Sequence, residues 1–121
     1  MLELLLALPF VLSIGSVVFL PLVCALVLSI LLSPLADRLA ELLLKRPVLH
    51  ADETPVAQLD PGKGKTHRAY LWAYRSTVLE TGPPIVVFDY QISRAGCHAK
   101  AFLADWRGHL MVDDFKGYKA L

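Results

Sequence analysis

The chain has 121 residues, with 12 Lys and Arg against 11 Asp and Glu and a formal net charge of +1. That length suits one small domain rather than two, and so even a charge balance singles out no strongly charged partner. Cys24 and Cys97 form no C-x-x-C pair, and His50, His67, His98 and His109 lack zinc-ligand spacing, which sets aside a disulfide framework and a structural zinc site.

Hydrophobicity is concentrated at the front. Leu4 to Ala36 carry no charge, and the stretch from Leu4 to Leu32 is apolar and longer than the roughly 20 residues needed to cross a bilayer. Pro9, Gly15 and Pro21 would kink such a helix without forbidding it in lipid. Glu3 stands where a signal peptide would carry basic residues. Residues 1–32 therefore form an apolar helical segment, either a membrane span or the product of a frame-shift, and residues 33–121 form the polar remainder.

In "SPLADRLAELLLKRP", Ser33 suits an N-cap, Pro34 the first helical turn, and Lys45 and Arg46 the C-terminal end ahead of Pro47. The pattern predicts a short amphipathic helix with Leu35, Leu39, Leu42 and Leu43 on one face. A strand follows at "VLHADETPV", residues 48–56, and then a loop, "AQLDPGKGKTHR". "AYLWAYRS" and "PPIVVFDY" read as second and third strands, "RAGCHAKAFLADW" as a helix with Ala101, Phe102 and Trp106 inward, and "GHLMVDDF" as a fourth strand. Short links make the first three strands antiparallel, and the crossover helix lets the fourth lie parallel to the first. The fold class is α/β with a mixed sheet.

Asp52 sits in the first strand, and Asp113 with Asp114 at the end of the fourth. A carboxylate in an apolar strand is costly unless paired, hydrogen-bonded or bound to a cation. If the fourth strand lies beside the first, Asp52 and Asp113 meet at one edge, an oxygen-donor arrangement suited to Mg²⁺ or Mn²⁺. Solvated strand ends are the other reading of the same pattern. Alternation turns Glu53 to the face opposite Asp52 and places His50 on the face of Asp52. Asp89 falls near the presumed acidic edge, in a structural role.

"GKGKT" lacks the glycine that a phosphate-binding loop requires, since Leu59 occupies that position. Lys63, Lys65, His67 and Arg68 make this turn basic, so it can solvate freely or touch DNA phosphates without reading sequence.

Taken together, "RPVLHADETPV", "DPGKGKT", "LWAY", "PPIVVFDY", Arg94-x-Gly96-x-His98, "AFLADWRGHL" and "DDFKGY" resemble the transposases of the insertion sequence 66 family, over about Leu31 to Leu121. The resemblance implies the central catalytic core of a DDE transposase. That is a partial RNase H-like fold that cuts and joins transposon-end DNA with Mg²⁺ or Mn²⁺. It selects Asp52 and Asp113 as catalytic, metal-holding residues, with Asp114 where a glycine is usual. The family's third acid, a Glu on a later helix, has no counterpart by Leu121, so this stretch is expected to be an inactive fragment in the cytoplasm. Two alternatives remain: a single-span membrane protein anchored through residues 4–32 with a relic tail, and a noncatalytic DNA-binding remnant.

Overall fold

The computed structural model describes every residue except Asp114, and of Ala120 only the backbone. The chain comprises two compact units, residues 1–37 and residues 38–121.

Helix α1 runs unbroken over Leu2–Leu43. Two helices meeting near Ser33 were expected. Instead Pro34, like Pro9 and Pro21, lies inside the helix and Ser33 caps nothing. A proline in that place removes one backbone donor, and the ends of the sequence pattern "SP…KRP" mimic a start that the backbone does not make. The apolar part is long enough, by length and composition, to cross a membrane, with none of its most apolar window buried. Of the four leucines expected on one face, Leu43 is fully buried and Leu35 is largely exposed. The helix stops three residues before Arg46, and turns follow with Lys45 N–H to Leu42 O and Arg46 N–H to Leu43 O.

In the second unit four strands form one sheet in the order β3-β2-β1-β4. Strands β1 (Val48–Asp60) and β2 (Lys65–Ser76) make a long antiparallel hairpin. Most of the expected loop "AQLDPGKGKTHR" is thus strand. Its turn is confined to residues 61–64, where Gly62 and Gly64 have φ of 85° and 62°, values that favour glycine. Strand β3 (Val86–Gln91) pairs antiparallel with β2, and β4 (His109–Met111) pairs parallel with β1. This topology agrees with the partial RNase H-like arrangement: three antiparallel strands, a crossover helix, and a fourth strand parallel to the first.

The segment at Arg46–Val48 joins distant parts of this unit. Pro47 O accepts from His109 N–H at 2.8 Å, which starts the β1–β4 register, and Arg46 O accepts from Trp106 Nε1 at 2.9 Å. Arg46 also donates to Thr81 O and pairs with Glu80, whose Oε1 accepts from Val48 N–H.

Helix α2 (Gly96–Leu103) covers one sheet face. Its inward residues are Ala99 and Leu103, with Phe102 stacked on Tyr74 at a centroid distance of 3.9 Å. Ala101, expected inward, is exposed, because two helical turns carry too little pattern to fix the phase. Trp72 and Tyr74 are fully buried beside Leu43, Leu49 and Tyr118. Aromatic residues of this kind remove about 150–250 Å² each from water, a hydrophobic contribution of at most about 4–6 kcal/mol apiece. Beyond β4 the chain forms a 3₁₀ helix over Lys116–Ala120. Strand β4 is shorter than expected, so Asp113 lies past its end.

Candidate functional site

Alternation along β1 sends Asp52 and Glu53 to opposite faces of the sheet, and the two faces differ completely. Glu53 belongs to the face under α2. There its cross-strand neighbour is Trp72, which in turn opposes Asp89 on β3. Asp52 opposes Ala73, on the open face with Leu71, Arg75, Phe88 and Tyr90.

The two acids face opposite sides, as alternation predicts, and their burial differs sharply. Asp52 is exposed, whereas Glu53 is 7% exposed and its side chain is wholly buried. The acid that requires a partner is therefore Glu53, and it has two. Arg94 donates through Nε at 2.7 Å and through Nη2, both to Oε1, and the Tyr118 hydroxyl donates to Oε2 at 2.6 Å. The guanidinium lies over the Phe115 ring, 3.6 Å from its centroid, a geometry that favours a cation on an aromatic face. The hydrogen bond to Glu53 is the main cause that raises the Arg94 pKa, and Asp113 is among the nearby charges that add to it. Burial, then the bond to Glu53, pushes the Tyr118 hydroxyl up, and burial does the same to Tyr74.

Each member of the Arg94-x-Gly96-x-His98 motif has a place around this pair. A Cβ on Gly96 would collide with the Gly117 carbonyl, so glycine lets the 3₁₀ helix approach α2. His98 Nε2 lies 2.7 Å from Ser93 Oγ, and its ring meets the edge of Trp72. Sequence reasoning missed the partnership because Arg94 and Tyr118 are 41 and 65 residues from Glu53. The spacing of Arg94 two residues ahead of Gly96 in a short motif was the available signal.

On the open face, Asp52 and Asp113 come together. Extending the parallel register, in which His50 stands opposite Met111, by two residues on each strand brings Asp113 level with Asp52. Both line a shallow groove of about 610 Å³ with His50, Ala73, Arg75 and Met111. Arg75 opposes His50 across the β1–β2 ladder and puts a cation beside the two acids. Sequence reading assigned it no role. Asp113 Oδ1 accepts from Phe115 N–H at 3.3 Å. Asp114 lies outside the described residues. Asp89 is not at this edge: β3 is at the other side of the sheet, and Asp89 faces α2 and accepts from Gln91 Nε2 at 2.9 Å.

The residues expected to touch DNA lie apart from the groove. Lys65, His67 and Arg68 are on β2 rather than in a turn, opposite Asp60, Gln58 and Ala57. At about 3.3 Å per residue they start roughly 16 Å along the strand from Asp52. Lys63 is paired with Asp60 at 2.9 Å. All four are exposed.

Two carboxylates with an imidazole nearby have the chemistry for a hard divalent cation. Among the described residues no group of three or more His, Cys, Asp and Glu is placed to hold one. The residues that could contribute to holding one are Asp52 and Asp113, with the rest of the coordination left to water or other oxygen donors.

Residues 24–121 match the family described as Transposase IS66 family. The match opens within the apolar stretch, seven residues ahead of Leu31. The chain is 36% identical over 93 residues to the uncharacterized proteins y4jD and y4qI of Sinorhizobium fredii (strain NBRC 101917 / NGR234). That alignment covers 74% of this chain but only 18% and 17% of those proteins, so the chain spans under a fifth of the length of either. No solved structure matches. The chain belongs to the insertion sequence 66 family of transposases.

Proposed function

We propose that residues 38–121 contribute part of the catalytic core of a DDE-type DNA transposase, with Asp52 and Asp113 holding Mg²⁺ or Mn²⁺ at the open groove. The observation that carries this reading is the convergence of the two acids, 61 positions apart in the chain, on one groove that also holds Arg75. The reaction of such a core is phosphoryl transfer, in which water or a DNA 3′-hydroxyl attacks a phosphodiester. Arg75 supplies a guanidinium that can bind phosphate oxygens in pairs and orient the DNA backbone. His50, half-buried on the same face as Asp52, lines that groove. A bound divalent cation would supply charge stabilisation at the phosphoryl oxygens.

With two carboxylates, cation binding by this chain alone is weak and strand cleavage is not expected of it. Transposon-end DNA is the expected partner, and the exposed Lys65 and His67 on one face of β2, with Arg68 on the other, would extend backbone contacts along the hairpin. The test is a gel-shift of the full chain in detergent, using duplexes that carry insertion-sequence terminal inverted repeats against unrelated duplexes. Retardation should strengthen with Mn²⁺ and lose that dependence in Asp52→Asn and Asp113→Asn. Retardation indifferent to both substitutions, or none, contradicts the reading.

A second reading rests on the apolar stretch of α1, whose residues from Leu4 to Leu32 are nearly all exposed: a membrane-anchored protein with a relic tail. Retention of the chain in carbonate-washed membranes would favour it.

A further inference from the structure

The β-ladder does not hold Asp113 in place. Parallel pairing of β1 with β4 ends at Met111, and the bond that Asp113 accepts from Phe115 N–H is local to its own turn. What ties this segment to β1 comes just after it. The Phe115 ring supports Arg94, and Tyr118 reaches Glu53. Glu53 is the chain neighbour of Asp52. One buried carboxylate is therefore bonded through its backbone to the first groove acid, and through Arg94 and Tyr118 to the segment that carries the second.

We propose that Glu53, Arg94 and Tyr118 are positioning residues that set the spacing and orientation of Asp52 against Asp113 for a divalent cation. This rests on the reading of the groove as a cation site. A hydrophobic trio of similar volume would hold the two segments at least as firmly. It would lack direction. Three donors on the two oxygens of one planar carboxylate fix a rotation about β1 as well as a distance, and ligands must be held within about 0.5 Å to bind a metal well. The close passage of Gly96 against Gly117 adds a backbone stop to the same end of the clamp. Trp72 packs edge-on against Tyr118 at 5.7 Å, so the tyrosine ring is located independently of its hydroxyl.

That independence makes the clamp testable. Tyr118→Phe keeps the ring and removes the donor, and Glu53→Gln keeps the shape and removes the charge. The full chain, with Cys24→Ser and Cys97→Ser, is spin-labelled in detergent at Thr66→Cys and Lys116→Cys to span the clamp. A control pair at Thr66→Cys and Val86→Cys spans β2 and β3 only. Double electron–electron resonance should show that both clamp variants broaden the 66–116 distance distribution and leave 66–86 unchanged. Mn²⁺ affinity, read from the free-ion resonance signal, should fall roughly tenfold, as it does when groups that orient ligands are removed. An unchanged 66–116 distribution overturns the proposal, and so does equal broadening of both pairs, which marks general loosening. If the parent chain takes up no Mn²⁺ while 66–116 alone broadens, the cation reading of the groove fails and the proposed role with it, although the clamp geometry stands.

Discussion

Glu53 and Tyr118 are 65 residues apart in the chain, yet the Tyr118 hydroxyl lies 2.6 Å from Glu53 Oε2, on the sheet face covered by α2 and opposite the open face of Asp52. Adjacent acids on one strand thus have unrelated surroundings. Removing a buried acid that accepts from the buried Tyr118 hydroxyl, and from an Arg94 side chain that is 43% exposed, is more damaging than altering a solvated acid. Glu53→Ala should lower stability by about 1–3 kcal/mol, through the Tyr118 hydroxyl left without its acceptor, and Asp52→Ala by less than about 0.5 kcal/mol. Urea unfolding of the sheet unit within the detergent-solubilised chain, followed by tryptophan fluorescence, measures both. Equal midpoints for the two variants would show that Glu53 is not the costly acid.

Tyr74 and Tyr118 give the fold an alkaline limit. Burial raises both above the ordinary tyrosine value near 10, and for Tyr118 the bond to Glu53 adds to it. A group whose folded pKa is raised contributes stability that is complete below its unfolded value and is lost as pH rises beyond that. Stability should hold up to about pH 10 and fall above it, with part of the tyrosinate absorbance developing only as circular dichroism records loss of the sheet. If all four tyrosines ionise near pH 10 in a chain that remains folded, the burial of this pair is contradicted.

Gly96 is a steric requirement rather than a flexible joint. Because a Cβ there meets the Gly117 backbone, Gly96→Ala should cost about 1–3 kcal/mol through overpacking, and Gly15→Ala, with only ordinary contact ahead of it, should cost nothing measurable. Thermal unfolding of the two variants side by side is sufficient to distinguish them.

Much of this fold is legible in the sequence. Strand identity, strand order and the inward placement of Trp72 and Tyr74 follow from alternation and connection length. So does the approach of Asp113 to Asp52, which requires only that β4 lie parallel beside β1. Three features were not legible, each for a physical reason. The hairpin is longer than its hydrophobic pattern because backbone pairing between Ala57 and Arg68, or Gln58 and His67, needs no apolar side chains. Helix α1 continues through Pro34 because one missing donor does not outweigh the bonds on either side. The burial of Glu53 depends on Arg94 and Tyr118, and no local rule connects residues so far apart.

Arg75 provides a quantitative check on DNA contact at the groove. A side chain that neutralises one phosphate contributes about one unit to the slope of log affinity against log salt. Arg75→Ala should therefore weaken binding to end-bearing and unrelated duplexes alike and reduce the slope by about 1. An unaltered slope would place the DNA elsewhere.

The most direct measurement is a Mn²⁺ titration of the full detergent-solubilised chain, read by the resonance of the free ion, against Asp52→Asn, Asp113→Asn and Asp89→Asn. The open groove predicts that the first two each lose affinity and that Asp89→Asn, on the opposite face, matches the parent. Binding that survives in Asp52→Asn or Asp113→Asn, or that falls equally in Asp89→Asn, would contradict the assignment of the two acids to one cation site.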